Sequence, residues 1–398
     1  MRVFFSWELG DNNGHLSRSV NVASLLRADG HPLIFSSRNT TIARKILNPA
    51  RFHYVQSPIH QRSRIFNETI AGYASILLAS GYDDAEGLMG LIGAWMSAIS
   101  LFGADVVVAD HSPTALIAAR ILGIPSVVLG TGFEIPPSIA PCPSIMPWAP
   151  VSSTILEKHH SLAVANINIS LRAHRHSPIV SVASLFSDVP ILVSGFSELD
   201  HYGSRSGVLY LGPLGKSRAS SEVKWPEREG LKVFVYLHGD ISIVAPTLDA
   251  LERIGVNAIC VLPSVGAHPS SLIESQNIKV FEQLVDTDSI LPDADIVISN
   301  AGSGLMAEAL LRGVPLLLLP IFAEQSIGAR RAVDLEAARM LSPAATAIEI
   351  EAALMNLSTA PSFRQAAKRF KERYKDYNVQ SAVKRAAAEI VQAARGQS

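Results

Sequence analysis

The chain has 398 residues, with 34 Lys and Arg against 35 Asp and Glu for a net charge of −1, and it is 48% hydrophobic but only 17% charged. Such a composition excludes a disordered chain, its length suits two domains, and its charge balance lacks the basic footprint that nucleic acid requires. Two cysteines, Cys142 and Cys260, are too few for a disulfide framework or a thiolate zinc site, which fits a reducing cytoplasm.

The N-terminus, MRVFFSWELG, reaches Glu8 and then Asp11 before any long apolar run and lacks the pattern of an export signal. Residues 2–7 read as the first strand, 16–29 as a helix ended by Gly30, and 31–36 as the next strand. Residues 87–104 carry no charge, and a spanning helix needs about 20 apolar residues. Four glycines, two serines and the strand that follows at once favour a buried or cleft-lining helix. The other reading is a lipid-facing patch that recruits a membrane acceptor. A strand at 105–109, a helix at 114–122 and a strand at 126–129 follow.

The second half repeats the alternation. Strands are expected at 231–237, 258–262, 278–281, 296–299 and 314–319, with helices at 244–254 and 304–312. Continuous Val/Ile/Leu runs suit parallel strands buried on both faces, and strands alternating with helices imply doubly wound α/β sheets. The polar stretch 215–230 reads as a linker between domains at 1–214 and 231–378. The chain after Ser342 is rich in Ala and charge and helical, and residues 379–398 can pack back on the first domain.

Three loop regions carry chemistry. Gly10 to Arg18 lies where the first strand gives way to the first helix, the place where open α/β sheets bind ligands. There His15 can serve as a general base, or it is an ordinary helix-start histidine after an Asn/Gly turn. Asn300 to Glu308 runs from a strand through a small-residue turn into a helix, a good anion cradle. It lacks the Walker lysine and the full dinucleotide fingerprint. Glu308 can hold a ribose hydroxyl pair, or simply favour the helix dipole. In Ala323-Glu324-Gln325 an acid and an amide stand side by side, suited to sugar hydroxyls or to a helix cap.

These residues, in order, resemble the donor signature of GT-B glycosyltransferases, with the UDP-glycosyltransferase (family 1) and MurG-like groups the nearest in pattern. The stretch 298–310, Gly313-Val314-Pro315, Pro320 and Ala323-Glu324-Gln325 carry the likeness. Gly14-His15 with Gly30-His31, Asp105 to Asp110, Leu122-Gly123-Ile124-Pro125, Leu211-Gly212-Pro213-Leu214 and Leu291-Pro292-Asp293-Ala294-Asp295 extend it. The resemblance implies two Rossmann-like doubly wound domains facing across a cleft. It implies His15 as catalytic base, Asp110 as the acid that orients it, and Gly302, Ser303 and Gly304 as the diphosphate turn. It further implies Glu308 on the ribose, Glu324 and Gln325 on the donor sugar, and Leu284 and Val285 against the base. Metal-free transfer of a hexose with inversion follows, from a UDP- or dTDP-sugar to a hydroxyl of a small-molecule, glycan or lipid-linked acceptor, with no cofactor.

Three positions depart from the pattern. Asn300-Ala301-Gly302 stands where His-Gly-Gly is usual, and Asn can bond a phosphate without adding charge. His238-Gly239-Asp240 replaces a common Gly-Ser on the donor side, with His238 as a source of charge or a capping residue. Arg18, with Gly14 on the acceptor side, stands where many relatives have Pro; the GHxxR pattern resembles MurG-like enzymes and nucleotide-sugar hydrolases. Arg18 can contact an acceptor anion or lie on the helix surface. A nucleotide-sugar hydrolase or epimerase is therefore the alternative activity.

Several further signals are weak. Asp286-Thr287-Asp288 and Asp293-Ala294-Asp295 fit a metal-binding DxD spacing, but they fall on a base-side loop and a turn. Asn168-Ile169-Ser170 fits a glycosylation sequon without other signs of secretion. His159, His160, Arg172, His174, Arg175 and His176 read as a solvated basic face, or as a contact for an anionic acceptor or a membrane surface. Trp95, Met96, Phe102, Phe133, Met146 and Trp148, in the variable segments 58–103 and 130–177, suit an apolar acceptor or core packing. A cytoplasmic enzyme with peripheral membrane association on the inner face is the expected setting.

Overall fold

The computed structural model describes residues 1–10, 13–60, 66–215, 223–238, 242–263 and 276–396. The chain divides into two compact units, Met1–Gly215 with Asn378–Ser398, and Lys216–Tyr377.

In the first unit, seven parallel strands form one sheet: β1 (Val3–Trp7), β2 (Leu33–Ser37), β3 (Tyr54–Gln56), β4 (Val106–Asp110), β5 (Ser126–Gly130), β6 (Ile191–Val193) and β7 (Leu209–Tyr210). Their order is β3-β2-β1-β4-β5-β6-β7. All five residues of β1 and of β4 are buried, as their largely apolar sequences require of central parallel strands; the exceptions, Ser6 and Asp110, are buried polar groups. The main helices are α1 (Gly14–Ala28), α2 (Thr40–Leu47), α3 (Tyr73–Leu77), α4 (Ala85–Phe102), α5 (Pro113–Leu122) and α6 (Ser153–Ala173). The final helix, α13 (Val379–Ala394), packs on α1 through a stripe of small apolar residues that includes Ala382, Ala386 and Ile390.

Helix α4 is long and apolar enough to cross a membrane by length and composition. In the fold its Leu88, Leu91, Ile92, Trp95 and Ile99 enter the core of the first unit. Trp95 meets Phe4 edge-on at 6.3 Å, and Phe102 lies 6.1 Å from the same ring. These two aromatic residues serve packing, not an acceptor pocket.

The second unit repeats the plan with six parallel strands: β8 (Lys232–Tyr236), β9 (Asn257–Val261), β10 (Ile278–Phe281), β11 (Ile296–Ser299), β12 (Leu316–Leu318) and β13 (Ala338–Met340). Their order is β10-β9-β8-β11-β12-β13. Helices α7 (Val244–Ile254), α8 (Thr287–Ile290), α9 (Ser303–Leu311), α10 (Ala323–Asp334), α11 (Ala347–Thr359) and α12 (Pro361–Arg373) complete it. In each sheet the strand order reverses once, between β1 and β4 and between β8 and β11. Crevices for ligands open there, outside the carboxyl ends of the strands.

Both cysteines are free and buried, one in each unit. The stretch expected as a linker lies in part, at 216–222, outside the described residues, as do Gly239 and Asp240.

Candidate functional site

At the reversal point of the first sheet, Trp7 at the end of β1 stands opposite Asp110 at the end of β4. The chain leaves β1 through Gly10, whose φ is +82°, and enters α1 so that His15 falls in its first turn, buried beside Asp110. His15 Nδ1 lies 2.7 Å from Asp110 Oδ1, and the imidazole stacks on Trp7 with centroids 5.1 Å apart. A proton held on Nδ1 by the carboxylate leaves Nε2 as the basic nitrogen. The Gly10 backbone comes so close to Nε2 that a Cβ there would collide with the ring.

Arg18, one turn further along α1, is buried and not on the surface. Its Nε lies 3.3 Å from Asp110 Oδ2 and its Nη1 donates to Glu134 Oε1 at 2.8 Å. Glu134 also accepts from Thr131 N and Thr131 Oγ1 at 2.8 and 2.7 Å. Burial pushes the Glu134 carboxyl up, but the Arg18 guanidinium, the neighbouring imidazoles and backbone hydrogen bonding together outweigh it and hold the group well below the usual carboxylate range. The His15, Asp110 and Glu134 side chains have candidate metal-ligand atoms within 4.8 Å of one another. The two carboxylates already grip a guanidinium, which supplies the positive charge a metal would bring. Two carboxylates also take up the charge of Arg18, so the contact with an acceptor anion is not what the fold provides for it.

His111, directly after Asp110, adopts φ +43° and places its ring 6.2 Å from that of His15. Burial drives its pKa down to about 3, so it is neutral at physiological pH. His111 Nε2, Ser112 Oγ and Tyr73 OH are buried without a hydrogen-bond partner among the described residues. Glu8 points away from the dyad and accepts from the backbone N–H and the hydroxyl of Thr114. Burial raises its pKa to about 7.

The second unit uses its own reversal point in a parallel way. Asn300 follows β11, and both ends of its side-chain amide bond to backbone. Its Oδ1 accepts from His238 N at 3.0 Å, and its Nδ2 donates to Leu319 O at 3.0 Å. The amide ties the ends of β8, β11 and β12 together and so acts as a brace. Ala301 then takes φ +60°, a conformation that favours glycine. The chain enters α9 at Gly302, with no side-chain cap on the helix start. A Cβ at Gly302 or Gly304 would meet nothing within 4 Å. Free N–H groups, open space and the positive end of a helix dipole make this turn a ready anion site.

One turn along α9, buried Glu308 accepts from Thr287 Oγ1 at 2.9 Å. Val285 is buried and Leu284 half-buried just before α8. Glu324 is half-buried and lies in the first turn of α10, not in a loop. Gln325 Oε1 turns back to accept from Ile321 N at 2.9 Å, so its oxygen caps the helix. Both DxD pairs are consumed by structure. Asp286 caps α8, Asp288 pairs with Arg312, Asp293 with Lys232, and Asp295 with Arg364.

Residues 264–390 match the model of the glycosyltransferase family 28 C-terminal domain. The calicheamicin glycosyltransferase CalG4 aligns over 100% of this chain and 98% of its own, at 18% identity and TM-score 0.73. The glycosyltransferase VinC, solved in complex with dTDP, aligns over 100% of both chains at 17% identity and TM-score 0.68. The spinosyn rhamnosyltransferase SpnG, solved with spinosyn aglycone, aligns over 97% of this chain and 99% of its own, at 16% identity and TM-score 0.68. None of the curated proteins matches the chain in sequence.

The fold is GT-B, and the chain carries a glycosyltransferase domain. It is thus an enzyme of the transferase kind. Within this GT-B chain the fold brings His15, Asp110, Gly14 and Arg18 together in the first unit, and His238, Asn300, Gly302, Ser303, Gly304 and Glu308 lie around β11 and α9 in the second. The sequence reading missed Glu134, His111, Tyr73 and Glu8. Glu134 pairs with Arg18 across 116 positions of sequence, and no local pattern marks it.

The expected solvated basic face needs correction at His159 alone. His159 is buried between Ser75 Oγ at 2.8 Å and Glu68 at 2.9 Å, while His174, Arg175 and Arg172 are exposed. Ser75 accepts from Ala71 N and Gly72 N and is itself buried, so this Ser–His–Glu row caps α3 and offers no nucleophile. The amide of Asn168 bridges both backbone groups of Ile179.

Proposed function

We propose that the chain transfers a sugar from a UDP- or dTDP-sugar to a hydroxyl of a small-molecule acceptor, with inversion and without a metal, in the cytoplasm. The observation that carries this reading is the buried His15–Asp110 pair at the reversal point of the first sheet. His15 Nε2 takes the proton of the acceptor hydroxyl, whose oxygen then bonds to the anomeric carbon of the donor. The bond from that carbon to the diphosphate breaks, its electron pair leaves with the nucleoside diphosphate, and the proton later passes from His15 to solvent. Asp110 orients the imidazole and stabilises it once protonated.

In the second unit the uncapped start of α9 suits the departing diphosphate, and Glu308 suits the ribose hydroxyls. The dTDP bound to VinC and the aglycone bound to SpnG, proteins of the same fold, favour such a donor and such an acceptor. Metal independence finds support in Arg18, which holds the positive charge among the carboxylates, and in the paired acids of both DxD sequences.

The test is release of nucleoside diphosphate from UDP- and dTDP-sugars with a panel of hydroxylated aglycones, for the parent protein and His15→Ala. Acceptor-dependent release that His15→Ala lowers by a factor of about 100 or more is expected. Full turnover in His15→Ala would end the assignment of the base. Release that needs no acceptor would point to a hydrolase.

A further inference from the structure

Four charged or chargeable groups meet in the first unit: His15, Asp110, Arg18 and Glu134, all buried. Arg18 stands between the two carboxylates, 3.3 Å from Asp110 Oδ2 and 2.8 Å from Glu134 Oε1. Asp110 turns its other oxygen to His15 at 2.7 Å, and Glu134 comes within 4.8 Å of the same imidazole. The set carries one net negative charge while His15 is neutral and none once His15 is protonated.

We propose that Arg18 and Glu134 are positioning residues that set the charge around the His15–Asp110 dyad, so that the imidazole receives its proton into a counter-charge already in place. The proposal rests on the reading of His15 as the base. Arg18 sets a positive charge between two buried carboxylates that would otherwise repel each other. Glu134, locked by Thr131 N and Oγ1, holds Arg18 with its Nε donating to Gly14 O and its charge 3.3 Å from Asp110 Oδ2. Neither residue needs to touch substrate. The balance matters because a buried site answers strongly to every unit of charge. With one negative charge too many, the imidazole stays protonated and cannot act as a base; with one too few, it accepts a proton poorly.

Of the other titratable groups near the dyad, among the described residues, only Glu8 changes charge near neutral pH, and it does so in the parent and in all three variants alike. His111 is neutral, Glu8 turns to Thr114, and Arg38 donates to the backbone oxygen of Glu8. A purely structural role for Arg18 would be blind to the sign of the charge removed.

The experiment follows the His15 ring signal by NMR across pH in the full chain, with His15→Gln to assign it. It compares Arg18→Met, Glu134→Gln and the double variant. Arg18→Met should move the titration midpoint up and Glu134→Gln should move it down, each by about one pH unit. The double variant restores the original net charge and should return the midpoint towards that of the parent. Glu134→Gln keeps the shape and most hydrogen bonds of the carboxylate, so its downward shift decides the matter alone if Arg18→Met does not fold. Shifts in the same direction, or no shift in Glu134→Gln, would overturn the proposal. The titration needs no turnover: full activity in His15→Ala would refute the base while leaving these shifts as predicted.

Discussion

Replacing Gly10 by Ala should damage the enzyme out of proportion to its cost in stability. Gly10 has φ +82°, and an added Cβ would stand 3.0 Å from His15 Cε1 and closer still to Nε2. The ring has little room to retreat, because Nδ1 is held by Asp110 at 2.7 Å and one face lies on Trp7. A left-handed backbone costs a non-glycine residue about 1–2 kcal/mol. Turning the ring aside also gives up a charge-assisted hydrogen bond worth roughly 1.5–3 kcal/mol. A base displaced by about 1 Å loses on the order of 100-fold in rate.

Gly30 supplies the control. Its φ is +83°, the same as that of Gly10 within a degree, but an added Cβ there meets nothing within 4 Å. Gly30→Ala should therefore show the backbone strain alone, about 1–2 kcal/mol in denaturant unfolding, with turnover unchanged. Gly10→Ala should unfold more easily than Gly30→Ala and lose about 100-fold in acceptor-dependent nucleoside diphosphate release. Equal stabilities together with retained turnover would refute the claim that Gly10 is required by the position of Nε2.

Other expectations follow from single contacts. Asn300→Ala strips partners from His238 N and Leu319 O and should cost roughly 2–4 kcal/mol in chemical unfolding; a cost near zero would show that the brace is not one. Glu308→Gln should raise the Kd of UDP or dTDP about tenfold by calorimetry, and an unchanged Kd would remove Glu308 from the ribose. Burial raises Glu8 from 4.5 to about 7, so the folded chain keeps a proton that the unfolded chain releases. That stability is full below pH 4.5, is lost as pH rises through about 7, and amounts to about 3 kcal/mol. Glu8→Gln should flatten the dependence of Tm on pH across this window; an unchanged slope would assign it to other groups.

The layout of both sheets was legible because central parallel strands must be apolar on both faces. The runs at β1, β4, β8 and β11 announce themselves, and β10 and β11 fall on the expected residues. Strands β6, β7 and β13 are two or three residues long and carry no periodic signal, so they were not foreseen. Alternating helices were clear where Gly or Pro ended them, as at Gly123, and unclear at α10, whose first turn is capped by Gln325.

At the site, residue types were legible but their partners were not. His15 and Asp110 lie 95 residues apart, and only the fold brings them to 2.7 Å. Arg18 looked like a surface residue because its two carboxylate partners are remote in sequence. The engagement of Asn300 with β8 and β12 depends on sheet order, which local sequence does not encode.

The most direct measurement is thermal unfolding of the full chain with UDP, dTDP, GDP, CDP, ADP and NAD. A ligand present at about 100 times its Kd stabilises the folded state by about 2.7 kcal/mol. The account predicts that UDP or dTDP raises Tm selectively, and that Glu308→Gln weakens the response. No response to any of the six in demonstrably folded protein would contradict a nucleotide-sugar transferase.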